Sequence, residues 1–376
     1  MIGFSHKNIN KEALFVALSI FVLIPCYIAW LFPTISTIMR LVSFVILLNH
    51  RRIMPSKDVF PIVVIAATFA LQAFEIPNSP FGFVNIMGVF LLFITDFTFL
   101  RQIYEYFVRV FSIVIGLSVV VYIMVVILGI NLPHFYLDSV SDQKTFDIYP
   151  FMTYVYNSAD INSGRFTGLF DEPGVVGTIC ASILILNKFD YKNIFNIPIF
   201  IAGILSLSLA AMLMCAFYVI IFGNLQVKIG VSIIVIALFY YLSSLDIVQQ
   251  YVFSRFDTDS GLFVNNRTSE NFSYVFKQFL HSNDVFLGNG YGAAAEKDPS
   301  GASYKHLIYD FGIVFFVSYI IAYVRLAFLN IKDKKYILVA LLLLFSILYQ
   351  RPFLYNIAYS FILITAIAYN NNRETC

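Results

Sequence analysis

The sequence predicts an all-α, polytopic membrane protein, and three observations carry that reading. Of its 376 residues, 60% are apolar and only 12% are charged, against roughly 45–50% apolar and about 25% charged in soluble domains. A soluble fold of this length has too little interior for so many apolar side chains, because its surface still grows with size. Second, apolar runs recur along the whole chain, each about twenty residues long or somewhat shorter, the length a bilayer crossing needs. Third, Lys and Arg collect in alternate connections between those runs, the pattern of positive charge retained on the cytoplasmic side. Disorder and a fibrous repeat are excluded by the same composition. The balance of 24 Lys and Arg against 22 Asp and Glu, net +2, argues against a nucleic-acid partner, which needs a concentrated basic face.

Taken in order, the runs place spans near 13–32, 34–49, 59–76, 81–100, 107–130, 174–187, 195–207, 209–223, 228–243, 305–325, 336–350 and 353–370. That makes about twelve spans in a single integral membrane domain, 1–376. The first follows Lys7 and Lys11 and has no small-residue cleavage site after it, so it reads as an uncleaved anchor. The run 195–223 is divided at Ser206 and Ser208. Only then do Lys7/Lys11, Arg51/Arg52/Lys57, Arg101/Arg109, Lys188/Lys192, Lys228, Arg325/Lys332/Lys334/Lys335 and Arg373 share one side. Both termini are then cytoplasmic. Cys26, Cys180 and Cys215 lie inside apolar runs and Cys376 ends the chain. With no CxxC spacing, they read as small core side chains. The histidines are scattered without metal-ligand spacing, and no phosphate-binding nucleotide loop is present, so neither a metal nor another cofactor is expected.

Two long connections, 131–173 and 244–304, fall on the outer side, and connections of that length usually carry function. The first mixes Asp138, Asp142, Asp147 and Asp160 with Tyr136, Tyr149, Tyr154 and Tyr156. Carboxylates beside aromatic rings suit sugars, whose hydroxyls need acceptors and whose C–H faces stack on rings. Tyrosines at an interface belt are the plainer alternative. Tyr154, Tyr156 and, from the second connection, Tyr291 are the candidate sugar-binding residues.

The sharpest local signal is GRFTGLFDEPGVVGT, Gly164 to Thr178. Asp171 or Glu172 is placed to cap a helix and Pro173 to occupy its first position. That helix would aim its free N–H groups and positive dipole end at the outer face. Arg165, on the glycine-containing turn before it, completes a physically sensible diphosphate site. Glu172 beside that site is a candidate base or orienter of a sugar hydroxyl. A simple N-cap next to an interfacial arginine is the competing reading.

In the second connection Arg255 and Arg267 are permanent cations, and Thr268 to Phe279 has helical periodicity that suggests an amphipathic helix lying on the membrane. Gly288-Asn289-Gly290-Tyr291-Gly292 is a glycine-rich turn without the strand–turn–helix setting of a dinucleotide site. Lys305 and His306 open the next span. A neutral imidazole there is a candidate proton acceptor, and a polar anchor is the alternative. Arg40, near the middle of the second span, is costly there and therefore functional by default, with Glu75 or Asp96 as its expected partner.

The stretch R-F-T-G-L-F-x-E-P-G-x-x-G, Arg165 to Gly177, resembles the motif after the main periplasmic loop of Wzy-type O-antigen and capsular polysaccharide polymerases, within the O-antigen ligase-like superfamily. The layout is similar too: about twelve spans, two large periplasmic loops, and FLGNGYG followed by SYKHLIYDFGIVFF, where Ser303 and Gly312 stand at the family's spacing. The resemblance implies a metal-independent glycosyltransferase of the GT-C type in the bacterial inner membrane. Such an enzyme moves a growing glycan from undecaprenyl diphosphate onto an incoming lipid-linked repeat unit. It implies diphosphate-binding roles for Arg165 and for Arg267 or Arg255, and catalytic roles for Glu172 and, at a position matched better by Ser303, His306. The implied partners are the undecaprenyl-diphosphate-linked glycan, the lipid bilayer and a polysaccharide chain-length regulator. One departure is that relatives carry an arginine after the serine-rich turn, whereas this chain has only Ser206 and Ser208. The alternatives are an O-antigen ligase, which shares the fold, and a lipid-linked sugar transporter or flippase. A transporter would show paired interrupted spans with ionisable groups at mid-membrane.

Overall fold

The computed structural model describes residues 9–24, 26, 28, 31–52, 59–60, 62–67, 70, 80–138, 145–149, 153–156, 165–170, 172–224, 226, 229, 268–298, 303–350 and 353–371. They are mostly helical. Two helices are long and apolar enough to cross a membrane, Phe97–Ile127 with 31 residues and Tyr304–Asn330 with 27. In chain order the helices are α1 (Lys11–Leu23), α2 (Pro33–Asn49), α3 (Pro80–Ile94), α4 (Phe97–Tyr122, continued by a π turn over Ile123–Ile127), α5 (Pro173–Leu186), α6 (Asn196–Leu205), α7 (Leu209–Phe222), α8 (Glu270–Phe279), the short α9 (Ala293–Lys297), α10 (Tyr304–Asn330), α11 (Lys334–Gln350) and α12 (Ile357–Tyr369).

The division of 195–223 is present: α6 ends at Leu205, and Ser208 caps α7 by accepting from the Ala211 N–H. Two expected boundaries move. The run 81–100 stops at Ile94, because the Asp96 carboxylate accepts from the Thr98 and Phe99 N–H groups and starts α4 ten residues earlier than hydropathy suggests. The run 13–32 ends as a helix at Leu23. The predicted span 228–243 lies outside the described residues, and 59–76 is described only in part.

The expectation of an all-α chain is corrected in the first long connection, which carries a three-stranded antiparallel sheet. Its strands are β1 (Phe135–Asp138), β2 (Thr145–Tyr149) and β3 (Thr153–Tyr156), in the order β1-β2-β3. The register sets Tyr136 opposite Asp147, Tyr154 opposite Ile148 and Tyr156 opposite Phe146. FYLD, TFDIY and TYVY are short, rich in aromatic and β-branched residues, and partly alternating, which is a strand signal.

One end of the bundle collects cations. His50 pairs with Glu12 at 2.6 Å and stacks on Phe99. Arg52 donates to the Phe93 carbonyl at 2.9 Å and lies over the Phe97 ring. Arg101 donates to the carbonyls of Ala368 (2.7 Å) and Asn371 (3.0 Å), holding the last turn of α12. Lys188 sits over Tyr336, 4.9 Å from its centroid. The opposite end gathers the starts of α5, α7 and α12 with the ends of α1 and α6: Asn356, which caps α12, donates to the Leu23 carbonyl at 3.2 Å, and Cys26 bridges to Phe170.

Between the ends the interior is aromatic. Phe111 stacks on Phe170, and Tyr319 and Tyr323 are fully buried, their hydroxyls bonded to Ser360 and to the carbonyls of Ala340 and Leu363. Outward, Ile35, Leu41 and Val45 of α2, Ile113 and Val120 of α4, and Phe200, Ile204, Phe217 and Ile220 of α6 and α7 are exposed. Large apolar faces of this kind suit acyl chains rather than water.

Candidate functional site

Three neighbourhoods hold most of the described candidate residues. The first is built from the 165–177 segment, and several fixed letters of the motif have a physical task. Phe166 and Phe170 are fully buried, Phe166 edge-on to Tyr122 and Phe170 against Phe111. Gly168 takes φ +61 between them, a turn that L side chains resist. Arg165 is itself buried, and its guanidinium donates twice to the Ser206 carbonyl (3.1 and 2.9 Å) and once to the Leu207 carbonyl (3.1 Å), while the Phe166 N–H reaches the Leu205 carbonyl. These are the open carbonyls at the end of α6, the negative end of its dipole. Arg165 therefore caps α6 and braces the Ser206–Ser208 turn. The serine turn that lacks its own arginine receives one from across the site.

Gly177, one turn into α5, packs on the same serine turn. A Cβ there would collide with Ser208 Cβ and stand 2.7 Å from Ser208 Oγ and 2.8 Å from Ser206 Oγ. Pro173 occupies the first position of α5 as the sequence predicts, and Glu172 is its N-cap residue. The expected side-chain cap is corrected: Glu172 makes no bond to the helix N–H groups, and its side chain is exposed. Asp171 lies outside the described residues.

The second neighbourhood is the start of α10. Ser303 and His306 form a reciprocal capping box. The Ser303 N–H donates to His306 Nδ1 at 3.3 Å, which leaves the ring proton on Nε2, 3.2 Å from Asp298 Oδ2 but not aligned with it as a hydrogen bond. Phe272 stacks on the imidazole at 4.3 Å. His306 is buried with Asp298, whose Oδ2 also accepts from the Ser269 N–H. With both nitrogens facing partners, His306 positions α8 against α10. The amphipathic helix predicted over Thr268–Phe279 is present as α8, but not as a surface float. Phe272, Phe276 and Phe279 pack on Ala294, Ile308 and Tyr309.

The third neighbourhood is a broken helix. Within α10, Gly312 is non-helical (φ 77, ψ 166). The break frees the carbonyls of Tyr309 and Asp310, and the glycine-rich turn takes them up: the Asn289 N–H reaches Tyr309 O at 2.8 Å and the Gly290 N–H reaches Asp310 O at 2.9 Å. The Val314 N–H returns to Phe286 O at 3.3 Å. The Asp310 carboxylate, buried, accepts from the Gly292 (3.2 Å) and Ala294 (2.7 Å) N–H groups. This turn sets Tyr291 edge-on to Tyr355 at 5.4 Å and beside Phe311. Burial pushes the Tyr291 phenol up, with the Asp310 charge adding to it and Arg40 opposing it. Asp310 goes unmarked in the sequence reading, and Gly177 stands there only as the last letter of the motif. The available signals are an acid inside an apolar run and a glycine inside a helix.

Of the remaining candidates, Tyr154 and Tyr156 lie on β3, the edge strand of the sheet. On β2, burial raises the Tyr149 phenol, reinforced by Asp147 and Tyr136. Arg255 and Arg267 lie outside the described residues. No group of metal-ligating side chains is found among the described residues. Comparisons with protein-family models, with curated proteins and with solved structures find no match.

Proposed function

We propose that this chain is a membrane-embedded glycosyltransferase with about twelve spans. On this reading it polymerises undecaprenyl-diphosphate-linked oligosaccharide repeat units at the periplasmic face of the bacterial inner membrane, with both termini cytoplasmic. The observation that carries this reading is the exposed Glu172 carboxylate at the start of α5, on the same short segment of chain as Arg165, which braces the serine turn. A lipid diphosphate leaves readily once its developing charge is neutralised, which arginines achieve without a metal. Glu172 takes the proton of the attacking sugar hydroxyl. Arg267 or Arg255 supplies further positive charge to the leaving group, and Tyr154, Tyr156 and Tyr291 line the path of the glycan. His306 holds the second loop in place. The partners are the lipid-linked glycan, the bilayer and a chain-length regulator.

The test is complementation of a strain lacking the chain, read as a gel ladder of surface glycan. Restored long chains support polymerisation. One-repeat caps without the protein mark the lost step as polymerisation, and unattached lipid-linked polymer marks it as ligation.

A second reading, a lipid-linked sugar transporter or flippase, is favoured by the break in α10 at Gly312 and by Arg40 inside α2. Movement of a lipid-linked repeat across reconstituted vesicles, without polymer formation, decides for it.

A further inference from the structure

At the end of the bundle where the cations collect, two connections far apart in sequence close on one cluster of rings. Phe189 of the α5–α6 connection packs on Tyr218 of α7 with ring centroids 5.2 Å apart. Tyr218 stacks on Phe222 at 4.8 Å, and Phe222 meets Tyr336, in the first turn of α11, at 5.1 Å. Two lysines sit on these rings. Lys188 Nζ lies 4.9 Å from the Tyr336 centroid, and Lys335 Nζ lies 5.9 Å from that of Phe222. The α5–α6 connection thus covers the ring of α11, and α11 covers the ring of α7. A single ring pair carries both ammonium groups, and both lysines are exposed. A ring face steadies an ammonium without cancelling its charge.

The same two connections add Lys192, Lys332 and Lys334, all exposed. The acids beside them are Asp190 and Asp333, whose carboxylates accept from the N–H groups of Lys192 (3.0 Å) and Lys335 (2.9 Å). Five lysines against two acids leave the patch positive. Directly inward the surface turns apolar. α7 packs against α11. Phe217 and Ile220 of α7, just before Phe222, are exposed, and so is Leu338 of α11, two residues past Tyr336. Cations at the rim, rings beneath them and apolar side chains deeper still match a phospholipid read from phosphate to tail. A free anion gains nothing from the apolar strip.

We propose that Lys188, Lys335 and the Phe222–Tyr336 ring pair form a site for the phosphate of an anionic phospholipid, whose acyl chains lie along α7 and α11. The site rests on the reading of these helices as lying in a bilayer with this end at the cytoplasmic face, and it is independent of the glycan chemistry at the other end. Lysine suits the task because it is a compact point charge that does not require a bidentate ligand. One head group bound there ties the α5–α6 connection to the start of α11.

The test uses the full-length chain in a neutral detergent, with phosphatidylglycerol and phosphatidylcholine of the same acyl chains as probes and native mass spectrometry as readout. The parent should retain phosphatidylglycerol in preference, and the preference should shrink as salt is raised. Lys188→Gln and Lys335→Gln should each weaken phosphatidylglycerol retention by about fivefold, and the double variant by about twentyfold or more. Lys188→Arg and Lys335→Arg should keep the parental preference. Lys277→Gln, exposed on α8 where that helix packs on the first turns of α10, should leave retention unchanged. Parental retention by the double variant overturns the site. So does equal displacement by soluble glycerophosphoglycerol, which would mark the patch as one for free anions. If the double variant does not accumulate, the two single variants carry the test, and parental retention by both overturns it. A parent chain that sediments with membranes yet holds the two lipids equally loses the site and keeps the membrane reading. A chain found in the soluble fraction loses both.

Discussion

Gly288 and Gly312 meet backbone to backbone. A Cβ on Gly288 would stand 2.5 Å from the Gly312 nitrogen, and one on Gly312 would stand 2.6 Å from the Leu287 carbonyl carbon. Both have positive φ, +82 and +77. The contact lets a loop from one connection enter the gap in a helix of the next span and satisfy the groups that the gap exposes.

Gly288→Ala and Gly312→Ala should each lower stability by more than about 3 kcal/mol, since strain and collision combine. Gly292→Ala is the internal control. Its φ is +87 but nothing lies within 4 Å of the added carbon, so only the conformational term of about 1 kcal/mol remains. Thermal melts in detergent, followed by size-exclusion fluorescence, should rank the three in that order. Equal melts would contradict the packing.

Arg165→Ala removes three hydrogen bonds to the end of α6 and should cost about 3 kcal/mol, because charged donors to buried carbonyls are individually strong. Arg165→Lys keeps the charge but not the fork, and should recover less than half of the loss. The same variants, with Arg267→Ala, are expected to abolish long glycan chains while the protein still inserts. Normal ladders from Arg165→Ala and Arg267→Ala would sink the diphosphate roles.

Gly177→Ala drives a methyl group into Ser208. Ser208→Gly makes room at a cost of a few tenths of a kcal/mol as an N-cap change. The double variant should therefore melt above Gly177→Ala alone, with a favourable coupling of about 1 kcal/mol or more. Additive melts would mean that the two sites do not touch.

Glu172→Gln keeps the size of a side chain that makes no cap bond to α5. Polymer formation should fall by about 100-fold or more if the carboxylate takes a proton in the reaction. Retained activity with an unchanged melt would exclude it as the base.

The elements most legible in the sequence are those with a local chemical marker. Pro33 and Pro173 mark the starts of α2 and α5, and the serines at 206 and 208 divide α6 from α7. Asp96 shows how a hydropathy window fails: one carboxylate in an apolar run ends one helix and begins another, yet barely changes the average. The sheet in the first long connection is hidden because aromatic residues read equally well as an interface belt and as strands. The break in α10 is hidden for a different reason: Gly312 sits in an apolar run and leaves hydropathy untouched. Arg165 was legible as important but not in its task, since the carbonyls it caps belong to a turn forty-one residues away.

The α6–α7 hairpin has a consequence for the lipid around it. Its helices have 10 and 14 residues, about 15 and 21 Å at 1.5 Å per residue, against a hydrocarbon layer of about 30 Å. On the proposed reading, in which both helices sit in the bilayer, acyl chains touching Phe200, Ile204, Phe217 and Ile220 would have to shorten or tilt to match, and the leaflet would dip beside the Ser206–Ser208 turn. A lipid-linked substrate would then enter at that shallow rim rather than through the deep interior.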